Sequence, residues 1–130
     1  MSGELNLDTL LKALSAKLIE GVFVIVTVPF GEVPVGLAPR MLFRESEGTT
    51  LILLKSEAEA HGLGHEFPSR MITLNVHSSL EAVGFMAVIA TALAKQGMGV
   101  NPVAGFYHDH LFIPEDRVQD ALDVLAQLAA

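Results

Sequence analysis

Hydrophobic positions change period several times along the chain, and each change marks an element. Leu7, Leu10, Leu11, Leu14 and Leu18 fall at i, i+3, i+4, i+7 and i+11. That spacing puts them on one face of an amphipathic helix, with Asp8 near its positive end, and predicts a helix ending near Glu20-Gly21. Val22 to Val28, VFVIVTV, is apolar on both faces, which predicts a central strand covered on both sides. Residues 29–38 hold two prolines and two glycines and read as a loop. Pro39 to Arg44 and Thr49 to Leu54 read as two strands joined by a turn at Glu45-Ser46-Glu47-Gly48. Ser56 to Ala60 reads as a short helix ending near Gly62, its acidic residues solvated in the first turn.

Gly62 to Pro68, GLGHEFP, has little periodicity and is the best linker candidate. Met71 to Val76 then alternates, with Ile72, Leu74 and Val76 on one face, as a half-buried strand does. Ser78-x-x-Glu81 before a long apolar run has the spacing of a capping box, which predicts a helix from about Ser79 to Gln96, stopped by Gly97. Gly99 to Tyr107 and His110 to Ile113 read as two further strands, with His108-Asp109 at their connection. Pro114-Glu115-Asp116 opens a last helix whose buried face is Val118, Ala121, Leu122, Leu125, Leu128 and Ala129. The order of elements is therefore α-β-β-β-α over residues 1–64 and β-α-β-β-α over residues 65–130. This is a degenerate repeat of two small α+β units, each with helices on one face of an antiparallel sheet. Units of this size bury too little surface alone, so they are expected to pair.

Composition narrows the function classes. Hydrophobic residues make up 51% of the 130 and charged residues only 18%, so part of the apolar surface is expected to be covered by another unit or subunit. The helix from Leu80 to Lys95 carries the same message, being apolar on nearly every side with small residues at Ala82, Gly84, Ala87, Ala90 and Ala94. A homo-oligomer, in the simplest case a dimer, is the expected assembly. The net charge of −7, with no basic run, argues against nucleic-acid binding. No apolar run approaches the roughly 20 residues of a membrane span, and the first residues lack the pattern of a signal peptide. The absence of cysteine removes disulfides, thiolate nucleophiles and Cys-based zinc sites, and fits a cytoplasmic protein.

Few residues offer chemistry. His77-Ser78-Ser79-Leu80 lies at a strand end before a predicted helix, where main-chain N–H groups and hydroxyls could hold a carboxylate; Ser78 as a plain cap explains the same spacing. Asn101-Pro102 interrupts a strand with a residue that cannot donate to a ladder, which places it at an edge or a bulge. Val100, Asn101 and Pro102 could then offer backbone to a ligand or a partner. His108-Asp109-His110 contains two imidazoles and a carboxylate, yet three residues around a turn fit backbone hydrogen bonding better than a metal site, and no metal or cofactor is expected. No nucleophile–base spacing or phosphate-binding loop is present, so no enzymatic activity is expected.

The phrases ITLNVHSSLEAVGFMAVIATALAKQGMGVNPVAGFYHDHLFIP, and within them HSSLEAVG and YHDH, resemble a group of bacterial stand-alone proteins built as two tandem ACT-like units. The resemblance implies a ferredoxin-like α+β fold in each half, the second half following the βαββαβ order of the ACT domain. The first half departs from it, with a loop after its first strand where a helix would stand. The resemblance further implies a non-catalytic regulatory protein that binds a small molecule, an amino acid in the usual case, at a unit or subunit interface. His77, Ser78, Ser79 and Leu80 would hold the ligand's carboxylate, and Val100, Asn101 and Pro102 would supply backbone contacts. The alternative is an oligomeric interaction module without a small-molecule ligand.

Overall fold

The computed structural model describes residues 2–130. Packing divides them into two units that are not consecutive along the chain: residues up to Glu20 group with Arg70–Ala130, while Gly21–Ser69 form a unit of their own. The linear division at residue 64 expected from element order therefore differs from the grouping by contact. The first helix and the first strand pack with the second half of the chain.

In the outer unit, helix α1 covers Leu7–Ala13, shorter than the leucine spacing predicts. Asn6 caps it, its Oδ1 accepting from the Thr9 N–H at 3.0 Å. After Leu14 the backbone turns extended, and Ala16–Leu18 forms strand β1. β1 pairs antiparallel with β5 (Glu66–Leu74) in the register Ala16 to Leu74 and Leu18 to Ile72. The ladder offered by β5 outweighs the helical preference of Ala16, Lys17 and Leu18, all good helix formers. Three strands sit in chain order between them, β2 (Phe23–Val28) and the hairpin β3–β4 (Met41–Glu45, Gly48–Leu54), followed by helix α2 (Lys55–Ala60), all in the inserted unit. The outer unit continues with helix α3 (Phe85–Ala94), strands β6 (Asn101–Ala104) and β7 (Asp109–Pro114), a 3-10 turn at Glu115–Arg117, and helix α4 (Val118–Ala129). Its strand order is β1-β5-β7-β6, which leaves β6 at an edge. Leu10, Ile72, Leu74, Ile89, Leu93, Leu111, Ile113 and Leu125, drawn from three helices and two strands, form its buried core. Arg117 ties the end of α3 to the start of α4, donating from Nη2 to the Gln96 carbonyl at 2.7 Å and from Nε to Asp120 at 2.9 Å.

In the inserted unit the order is β3-β4-β2-β5. Val24, Val26 and Val28 point into one cluster with Leu51, Leu53 and Ala58. Ile25 is only half-buried and Thr27 is exposed, so β2 is fully covered on one face and not on both as its composition predicts. Val33 and Leu37, from the Pro/Gly loop, pack against this cluster, so the loop covers core where a crossover helix would otherwise lie. Of the expected linker Gly62 to Pro68, only Glu66 to Pro68 belong to β5. Phe23 faces Ser69 while Ile25 faces Glu66, so β5 carries one extra residue between these pairs. Phe67 at a φ of 56° marks the resulting bulge, and Pro68 is tolerated beside it because a bulge breaks the ladder anyway. The remaining elements of the two units match the expected strands and short helix to within a few residues.

Candidate functional site

The capping box does not form. Helix α3 starts at Phe85, preceded by Gly84 in the left-handed region with a φ of 89°, and residues 78–83 make an irregular loop. The hydroxyl expected to cap the helix is drawn elsewhere: Ser78 Oγ donates to Asp109 Oδ2 at 3.2 Å. Its neighbour Ser79 is buried and accepts the Glu81 N–H on its Oγ at 3.1 Å, a tight local turn in place of a helical one. The loop is also pinned from outside. Glu4 donates its N–H to the His77 carbonyl and accepts the Ser79 N–H, both at 2.9 Å, in a parallel bridge between Glu4 and Ser78. Gly3 makes this approach possible: a Cβ there would lie 2.6 Å from the Ser79 nitrogen.

The loop, the start of α3 and the end of the β6–β7 hairpin enclose a cleft of about 180 Å³. Ser78, Ser79 and Asp109 supply its polar wall, and Leu80, Ala82, Phe85, Met86 and Ala104 its apolar one. Of the residues singled out in the sequence, Ser78, Ser79 and Leu80 line this cleft. His77 stands beside it, its ring against Tyr107 and Phe106 at centroid distances of 5.6 and 6.1 Å. Val100 is half-buried against the core, whereas Asn101 and Pro102 are exposed on β6. Asp109 was read as a turn residue beside two histidines and not as part of a ligand site, and Phe85, Met86 and Ala104 were not singled out. Phe85 and Met86 carry an ordinary core pattern, and Asp109 carries a turn pattern; only the contact with Ser78 distinguishes it.

The β6 edge has a defined chemistry. Ala104 faces Asp109 in the ladder, and the Gly105 N–H donates to the His108 carbonyl at 2.9 Å. The hydrogen-bonded pairs are therefore Gly105 with His108, Val103 with His110 and Asn101 with Phe112, and the main-chain groups of Pro102 and Ala104 point away from β7. Pro102 thus sits where its missing N–H costs no ladder bond. Beyond the edge, Phe106 and Tyr107 meet edge to face at 5.0 Å and are more than half exposed, as are Leu80 and Val83. His110 Nδ1 lies 3.0 Å from Thr73 Oγ1, and the His108 and His110 rings are 6.3 Å apart. No group of three potential metal ligands occurs among the described residues, and no helix among them is long and apolar enough to cross a membrane.

The chain is similar along 95% of its length, at 40% identity and a TM-score of 0.85, to a Vibrio cholerae protein of unknown function described as a possible transport protein, covering 96% of that chain. It shares its fold with an Agrobacterium tumefaciens protein at 16% identity and a TM-score of 0.76, with 89% of each chain covered. It also shares it with the regulatory subunit of aspartate kinase from Thermus flavus, at 14% identity and a TM-score of 0.68, covering 92% of this chain and all of that one. No curated protein matches the chain. Two ACT-domain family models match end to end, over residues 2–70 and 66–127, and the chain belongs to the ACT domain family.

Proposed function

We propose that the protein is a non-catalytic regulatory protein of ACT type that binds a small molecule, an amino acid in the first instance, in the cleft between the Ser78–Leu80 loop and the β6–β7 hairpin. The observation that carries this reading is the cleft itself: a few polar groups set against aliphatic walls, beside an edge strand whose outward main-chain groups are unoccupied by the β7 ladder. Ser78 to Leu80 form one side, with His77 beside them, and Val100 to Pro102 lead into the edge on the other. A second copy adding its own strand to β6 would close the open side and give the dimer that the apolar composition calls for.

The test is a thermal-unfolding panel of the purified protein against the twenty amino acids. A ligand that binds only the folded state at a hundredfold excess over Kd stabilises it by about 2.7 kcal/mol. That is a shift of several degrees in a chain of this size. A dose-dependent shift supports the reading. A flat panel at millimolar ligand removes it and favours the second reading, an interaction module, for which the exposed Leu80, Val83, Phe106 and Tyr107 are the supporting observation.

A further inference from the structure

The loop expected to hold a carboxylate has already committed most of its donors. The Ser78 N–H goes to the Val76 carbonyl at 3.1 Å, the Ser79 N–H to Glu4 at 2.9 Å and the Ala82 N–H to the Ser79 carbonyl at 3.0 Å. The Glu81 N–H is taken by Ser79 Oγ. The charged group that lines the cleft is an anion, the half-buried carboxylate of Asp109. Ser78 Oγ holds it in place, and no Lys or Arg forms an ion pair with it among the described residues, where Arg117–Asp120 is the salt bridge found. A half-buried carboxylate without a Lys or Arg ion pair is well suited to a cation brought by a ligand, because partial desolvation strengthens a charge-assisted hydrogen bond.

We infer that Asp109 is the specificity-determining residue of the cleft, accepting a ligand's primary ammonium, and that the ligand class is small aliphatic amines, α-amino acids included. This inference rests on the ligand cleft proposed above and inverts its polarity: the ammonium is what the protein reads, and the carboxylate is secondary. The walls decide the rest of the molecule. Leu80, Ala82, Phe85, Met86 and Ala104 offer no partner for a polar side chain, and a cavity of about 150 Å³ is enough for benzene. A leucine-sized aliphatic group suits the 180 Å³ present here. Ser78 is a positioning residue, acting through Asp109.

Three probes separate the possibilities at neutral pH: L-leucine, 3-methylbutylamine, which lacks the carboxylate, and 4-methylpentanoate, which lacks the amine. Each is titrated at up to 10 mM against the wild type and Asp109→Asn, with unfolding midpoint and calorimetric affinity as readouts. Asparagine keeps an oxygen for the Ser78 hydroxyl and removes the charge, so the fold is expected to persist, and circular dichroism checks it. The expected result is binding of leucine and the amine, none of the acid, and an affinity at least tenfold weaker in Asp109→Asn. Binding of 4-methylpentanoate as tight as leucine, or leucine affinity unchanged in Asp109→Asn, overturns the role of Asp109 and leaves the cleft standing. A response to some other amino acid but to none of these three overturns the leucine-sized aliphatic preference, and titration of that amino acid against Asp109→Asn then decides the role of Asp109, unchanged affinity overturning it. No response to the probes or to the amino-acid panel overturns both the cleft and the inference.

Discussion

Replacing Gly3 by valine tests how the segment before α1 fixes the loop of the cleft. The new Cβ would fall 2.6 Å from the Ser79 nitrogen and 2.7 Å from the Ser78 carbonyl carbon, both backbone atoms that cannot step aside. Gly3 also adopts a φ of 99°, which a β-branched residue resists. Residues 2–4 should therefore leave the loop, and two hydrogen bonds go with them: Glu4 to the His77 carbonyl, and Ser79 to the Glu4 carbonyl. At about 0.5–1.5 kcal/mol each, the loss is about 1–3 kcal/mol. It is capped there because the chain can undock without unravelling α1, whose Asn6 cap lies beyond the bridge. In a chain of this length the midpoint should fall by roughly 3–10 °C. Native-state hydrogen exchange is the sharper assay. The Ser79 and Glu4 amides should lose protection, whereas those of Ile72 and Ile113, inside buried strands of the core, should keep theirs. An unchanged midpoint together with unchanged Ser79 protection would refute the argument that the loop is held from outside.

Other consequences can be measured in the same preparation. Ile89 is fully buried among the core residues of the outer unit, so Ile89→Ala should cost about 2–5 kcal/mol in denaturant unfolding, against less than about 0.5 kcal/mol for exposed Thr91→Ala on the same helix. Arg117 makes an exposed ion pair with Asp120 and a bond to the Gln96 carbonyl, so Arg117→Ala should destabilise by about 1–2 kcal/mol. Asp120→Ala, which spares the carbonyl bond, should change stability by well under 1 kcal/mol; equal losses would show that the ion pair dominates.

Much of the fold was legible because its signals are local. The β3–β4 hairpin, α2, β7 and the buried face of α4 follow from period and turn residues alone. Three misreadings share one cause: a local pattern overruled by a partner distant in sequence. Leu14 and Leu18 continue a helical spacing, yet β5 recruits Ala16–Leu18 as a strand. Ser78-x-x-Glu81 has the spacing of a cap, yet Asp109 takes the Ser78 hydroxyl and Glu4 takes the Ser79 amide. GLGHEFP has a linker's composition, yet its Phe67-Pro68 is a bulge in a strand that pairs on both sides of it. For the cleft, the loop 78–80 was visible as a strand end rich in hydroxyls. Asp109 was not, since an aspartate beside a turn is ordinary until its neighbour across the cleft is known.

The interrupted layout of the outer unit bears on how the protein is made. Residues up to Glu20 leave the ribosome ahead of their partners, and β1 finds its ladder only in Met71-to-Leu74 territory, after the whole of Gly21–Ser69 has been translated. At about 5–20 residues per second, that is a wait of several seconds during synthesis. The inserted unit has all its own strands except the start of β5 by the time Leu54 emerges, so it can mature while α1 and β1 are still unpaired. The nascent N-terminal segment, with Leu7, Leu10, Leu11 and Leu14 uncovered, is then the most natural client for a chaperone at the exit tunnel.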